Sequence, residues 1–172
     1  MAIPLKIKTI EWSNFMSYGD YHTSIDLNTL GPVLIVGQKE DKDRSNGVGK
    51  TSITTAIIWC LFGRTPRRSA PGDKVVNWYT KSECYVKIIT TDDWIITRTR
   101  KVNGHDDLLV HKNGDDVTLS TNKQAQLLLK KLFNLDYDIF ISSMFFGQRT
   151  ESFLEMSDMK RKAALERLLG LN

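Results

Sequence analysis

The segment Asn46-Gly47-Val48-Gly49-Lys50-Thr51-Ser52 constrains this chain more than any other stretch. It lies between an apolar run, Pro32-Val33-Leu34-Ile35-Val36, and a helical pattern that begins near Thr51. A strand, a glycine-rich turn and a helix in that order make a phosphate-binding loop. Gly47 and Gly49 let backbone N–H groups converge on phosphate oxygens without side-chain obstruction. Lys50 is placed to reach the β- and γ-phosphates, and the Thr51 hydroxyl to ligate Mg²⁺. The helix that follows points its dipole and free N–H groups at a bound anion.

The spacing departs from the usual G-x-x-x-x-G-K-[ST], whose first glycine falls where this chain has Arg44. A glycine does follow the apolar run directly, at Gly37-Gln38, and residues 39–45 then intervene before Asn46. Removing those seven residues leaves G-Q-N-G-V-G-K-T, a well-formed loop, so 39–45 reads as an insertion.

At 172 residues, 41% hydrophobic and 26% charged, the chain has room for one domain with a real core. No apolar run reaches the length of a membrane span, and the N-terminus carries no signal-peptide pattern. The net charge of +4 permits contact with a polyanion without demanding one. Cys60 and Cys84 lack metal-type spacing, and His22, His105 and His111 are scattered. A reducing, cytosolic setting fits this usage.

Hydrophobic periodicity predicts strands over 3–15 and 21–27, joined by a turn at Ser17-Tyr18-Gly19-Asp20, and a further strand over 32–37 feeding the loop. A helix from Thr51 to Phe62 is apolar nearly all round, hence buried on several sides, and Gly63 ends it. Residues 64–73 form a Pro/Gly-containing loop with Arg64, Arg67 and Arg68. Strands at Cys84–Thr90 and Trp94–Val102 turn at Thr91-Asp92-Asp93, and two short strands flank Asn113-Gly114, making a β-meander. Helices are expected over Asn122–Phe133, over Tyr137–Phe145 and from a cap at Ser157-Asp158. A mixed sheet around the loop helix follows from this order.

Nucleotide hydrolysis on such a loop needs an acidic residue after an apolar strand. The one candidate, Asp92-Asp93, belongs to a hairpin bend, and Leu119-Ser120 is not followed by the glycines of an L-S-G-G-[QE] signature.

Further residues point to a family. The order runs from Asn14-Phe15-Met16-Ser17, through Val33–Gly37 and the loop, to Ile57–Gly63. Phe145-Phe146-Gly147-Gln148, Phe153-Leu154, Lys160-Arg161-Lys162 and Leu168-Leu169-Gly170-Leu171 complete it. This resembles, over essentially the whole chain, the N-terminal segment of the ATPase head in SMC-like, SbcC-type DNA double-strand-break repair proteins. Phage recombination exonuclease subunits fall in the same group.

The resemblance implies an α/β fold, the N-terminal lobe of an ABC/SMC-type P-loop NTPase head, with a β-meander and C-terminal helices. Residues 1–172 then form a single head segment. Residues 1–63 supply strands, phosphate loop and following helix, 64–119 the loop and meander, and 120–172 a helical part leading to where a coiled coil would start. It implies ATP and Mg²⁺ as ligands. Asn46, Gly47, Val48, Gly49, Lys50, Thr51 and Ser52 would line the loop, and Ser17 would lie near the nucleotide. Gln148 would sense the γ-phosphate and its metal. Met16 stands where many relatives have arginine, a departure in the phosphate contacts.

The implied partners are a C-terminal half of the head, a second head in a nucleotide-sandwiched dimer, a Mre11/SbcD-type nuclease subunit and double-stranded DNA. The implied location is the cytoplasm of a phage host or bacterium, at the nucleoid. ATP hydrolysis is expected only in the composite site, with the isolated chain inactive or very weak. Two alternatives remain beside this reading: a nucleotide-binding module that does not hydrolyse, and a P-loop kinase or GTPase.

Overall fold

A computed structural model describes residues 3–28, 31–38, 48–66, 75–102, 104–144 and 156–168. Six strands join in one sheet: β1 (Ile7–Ser13), β2 (Thr23–Asp26), β3 (Cys84–Thr90), β4 (Trp94–Arg100), β5 (Asp106–Lys112) and β6 (Asp115–Asp116). Their order across the sheet is β2-β1-β3-β4-β5-β6, and every pairing among the described residues is antiparallel. The helices are α1 (Lys50–Phe62), α2 (Asn122–Phe133), α3 (Tyr137–Met144) and α4 (Asp158–Leu168).

The expected mixed sheet is therefore antiparallel in its described part. The segment expected to enter it as a strand, 32–37, lies outside any strand. Val33, Leu34, Ile35 and Val36 are all exposed, Leu34 at 86%. An apolar run signals fitness for burial in a strand, but this one pairs with none of the described strands.

Elsewhere local chemistry explains the elements. Buried and half-buried positions alternate along β3 and β4, the period of a sheet with one face on a core. Asn113 and Gly114 both take positive φ, 54° and 92°, which matches hairpin twist and sets the β5–β6 turn. Thr121 caps α2 by accepting from Gln124 N–H, and Asp136 accepts from Asp138 and Ile139 N–H at the start of α3.

The core lies between one sheet face and helices α1 and α2. Ile10, Trp12, Val86, Ile88, Ile96 and Val110 from the sheet meet Ala56, Trp59, Cys60 and Leu61 of α1 and Ala125, Leu129 and Phe133 of α2. Phe62 closes the top of α3, with its ring edge-on to Tyr137 and Phe140 at 5.4 and 5.3 Å. Burial pushes both cysteine thiols up to about 12, so they remain neutral core groups.

Two core positions on β4 carry arginine. Arg98, 4% exposed, donates from Nε to Cys60 O (3.0 Å) and from Nη2 to Gln126 Oε1 (2.6 Å). Gln126 in turn donates to Leu61 O at 2.6 Å, and Gly63 N–H to Trp59 O at 2.8 Å. Three of the last four carbonyls of α1, those of Trp59, Cys60 and Leu61, thus find donors, and a guanidinium sits at the negative end of its dipole. Arg100, also buried, is paired with Asp106. No described helix is long and apolar enough to cross a membrane.

Candidate nucleotide-binding site

The described part of the candidate loop begins at Val48 and runs straight into α1. Gly49 takes φ 91°, in the left-handed region, and Lys50 opens the helix. The positive end of the α1 dipole therefore lies at this turn, with no acidic residue in the first turn of the helix to oppose an anion. The turn is braced from within: Ser52 N–H donates to Gly49 O at 2.9 Å, and the Thr54 and Thr55 hydroxyls donate to Thr51 O at 3.0 and 2.8 Å. Thr51 itself is exposed.

A second segment, the connection after β1, presses against this turn. Ser17 Oγ lies 3.1 Å from Ser52 Oγ, and the Tyr18 hydroxyl donates to Gly49 O at 3.4 Å. A Cβ on residue 49 would stand 2.6 Å from Ser17 Oγ and 3.3 Å from the Tyr18 ring. Glycine is therefore required here twice over, by φ and by space. The Tyr18 ring rests edge-on against Trp12 at 5.1 Å. Its phenol is held above the usual value, first by burial and then by Tyr21, which keeps it a hydrogen-bond donor.

The connection is itself tightly held. Asn14 and Met16 take positive φ, 54° and 52°, an arrangement that costs free energy in non-glycine residues. Phe15 bridges Val76, Met16 N–H donates to Val75 O, and Asn77 N–H donates to Asn14 O.

The structure thus brings together Ser17, Gly49 and Ser52, with Lys50 and Thr51 adjacent on α1. Asn46, Gly47 and Gln148 lie outside the described residues, as do the 39–45 insertion, Arg67 and Arg68. Arg64 is described, with its guanidinium 5.4 Å from the Tyr137 ring centroid. Among the described residues no group of three or more His, Cys, Asp and Glu is placed to hold a metal. The residue present whose chemistry suits Mg²⁺ is Thr51, an exposed hydroxyl in the first turn of α1.

The acidic pair Asp92-Asp93 stands well away from this site. Ser13 pairs with Tyr85 beside the 14–18 connection, whereas Ile7 pairs with Thr90 at the other end of β1. A strand of that length separates the two ends by about 20 Å.

Sequence reasoning missed Tyr18 and Asn77. In the sequence Tyr18 reads as part of a simple turn, and Asn77 lies in a stretch with no strand or helix period. The available signal was an asparagine after two valines, a residue type suited to binding backbone groups at a chain reversal.

Comparison with known proteins agrees with this architecture. A family model described as "AAA domain" matches residues 9–172. The chain is 26% identical over 171 residues to a DNA double-strand break repair Rad50 ATPase of Thermoplasma volcanium, covering 96% of this chain and 18% of that protein. It is 27% identical over 169 residues to exonuclease subunit 2 of Enterobacteria phage T4, covering 95% of this chain and 28% of that protein. The chain therefore spans less than a third of the length of these relatives.

Among solved structures, the Smc head domain of Pyrococcus furiosus, bound to the C-terminal domain of ScpA, superposes with a TM-score of 0.55 at 22% identity. That match covers 77% of this chain and 34% of the other. A recombination mediator RecF structure with ATPγS gives 0.51 at 17% identity, over 98% of this chain and 39% of that one. The fold is that of an SMC- and RecF-type ATPase head, and with the model matched across nearly its whole length the chain belongs to the AAA domain family.

Proposed function

We propose that this chain binds ATP with Mg²⁺ as the phosphate-loop segment of an SMC-like DNA repair ATPase head. One observation carries the reading: Gly49, left-handed and pressed by Ser17 and Tyr18, hands the chain directly to the N-terminus of α1 at Lys50. In this reading Asn46 to Ser52 wrap the phosphates. Lys50 neutralises the β- and γ-oxygens and Thr51 holds the metal, which would polarise the γ-phosphate. Ser17 approaches from the β1 side, and Gln148 reports the γ-phosphate to the rest of the head. Residues 1–172 act as one unit of a larger head.

Hydrolysis in this reading needs residues from elsewhere. The acidic pair at the β3–β4 bend is about 20 Å from the connection that braces the loop, too far to hold the metal or orient water. The exposed apolar run 33–36, upstream of the 39–45 insertion and the loop, is the natural place for a complementary half of the head to add a strand. A second head then completes a nucleotide sandwich, and ATP binding governs access of double-stranded DNA to an SbcD-type nuclease. The relatives named as a double-strand-break repair ATPase and an exonuclease subunit support that assignment.

Because the first turn of α1 carries no acidic residue and the acidic pair at the β3–β4 bend lies far off, a module that binds without turning over is the second reading for the chain by itself. The deciding experiment measures ATP binding and hydrolysis by the chain alone and together with a C-terminal half. Binding by the chain, with turnover appearing only on pairing and both abolished by Lys50→Ala, is the expected outcome. Turnover by the chain alone would sink the composite site, and no nucleotide binding in any pairing would sink the phosphate-loop reading.

A further inference from the structure

Asn77 occupies the centre of a hydrogen-bonded hub one step removed from the phosphate loop. It is 5% exposed. Its Nδ2 donates to Met16 O at 2.9 Å and to Tyr18 O at 3.1 Å. Its Oδ1 accepts from Tyr79 N–H at 3.0 Å and Thr80 N–H at 3.2 Å, and its own N–H donates to Asn14 O at 2.8 Å. Every polar atom of the amide is engaged, and the two faces of the side chain address different segments of the chain.

What the amide holds is a segment whose backbone is conformationally strained. The 14–18 connection contains two non-glycine residues at positive φ, a conformation that persists only where its surroundings over-determine it. From that connection Ser17 and Tyr18 reach Ser52 and Gly49. The backbone carbonyls of the residues on either side of Ser17 are the ones Asn77 grips. Displacement of Asn77 would therefore move the Ser17 hydroxyl and the Tyr18 phenol together, away from the turn that sets the direction of the first N–H groups of α1.

We infer that Asn77 is a positioning residue for the nucleotide site: it fixes the 14–18 connection so that Ser17 and Tyr18 hold Gly49 and the first turn of α1 in their anion-binding conformation. The inference rests on the phosphate-loop reading above. Asn77 itself touches no nucleotide in this scheme. Aspartate at 77 would keep the acceptor for the 79–80 turn but replace the donating NH₂ with an oxygen facing two carbonyls.

The test measures the affinity of a non-hydrolysable ATP analogue with Mg²⁺ for the full chain and for Asn77→Asp, Tyr18→Phe and the double variant, each first checked by thermal melt. If Asn77 acts through Tyr18, folded Asn77→Asp binds about tenfold more weakly, Tyr18→Phe about threefold, and the double variant no more weakly than Asn77→Asp. Wild-type affinity in folded Asn77→Asp overturns the inference, as does a double variant in which the two losses multiply. Should Asn77→Asp fail to fold, Tyr18→Phe decides, because it keeps its ring against Trp12. A threefold loss then supports the hub, and unchanged affinity overturns it. Lys50→Ala separates the two levels: unchanged affinity there removes the phosphate-loop reading and the positioning role with it.

Discussion

Gly49 concentrates two independent constraints on one hydrogen atom. Placing alanine there forces a left-handed conformation costing about 1–2 kcal/mol and drives Cβ into the Ser17 hydroxyl. Gly49→Ala is expected to weaken nucleotide binding at least tenfold in titration calorimetry while leaving the β3–β4 core intact by circular dichroism. The same residue scale explains why Tyr18 and Asn77 escaped sequence reading while Gly49 did not. A glycine before lysine announces its role locally, whereas Asn77 acts on carbonyls 59 and 61 residues earlier in the chain. Arg98 was equally illegible: it shares the inward face of β4 with Trp94 and Ile96, a face where an arginine reads as an error until the end of α1 is placed beside it. The cysteines yield a pH expectation. Their thiols ordinarily ionise near 9 and are held at about 12 in the fold, so the native state binds protons that the unfolded state has lost. Stability contributed by this burial is complete below pH 9 and falls as pH rises from 9 toward 12. Urea titrations at stepped pH should show that decline, and serine at both positions should reduce its slope.

At the scale of elements, α1 is the piece the rest is arranged to hold. Its first turn is braced by Ser17 and Tyr18, and its last turn by Arg98 and Gln126. Removing Gln126 orphans Leu61 O and one arm of a buried guanidinium, so Gln126→Leu should cost about 1–3 kcal/mol in denaturant unfolding. Arg98→Met should cost about 2–4 kcal/mol, since Cys60 O also loses its donor. The double variant should cost less than the sum, because both remove one network. Element boundaries were well marked in the sequence wherever period and punctuation agreed. Cys84–Thr90 and Asn122–Phe133 appear as expected, and Gly63 ends α1. The failure at 32–37 has a different origin. Periodicity reports that a segment is fit for burial, not whether the edge that buries it belongs to the described residues.

At the scale of the whole molecule, the core among the described residues lies between one face of an antiparallel sheet and helices α1 and α2, and the candidate site sits at one end of it. That placement follows from the register: β1 delivers the 14–18 connection to the same end at which β3 begins. The exposed run Val33–Val36 bears on how such a chain survives before anything covers it. Four consecutive apolar, mostly β-branched residues lie open to solvent there. Any like segment from a neighbouring molecule is a ready mate for it, so self-association competes with correct partnering from the moment of synthesis. The balance between the two is set by concentration and timing. In the composite head proposed above a C-terminal half covers this run, so co-expressing one should raise the soluble yield of this chain.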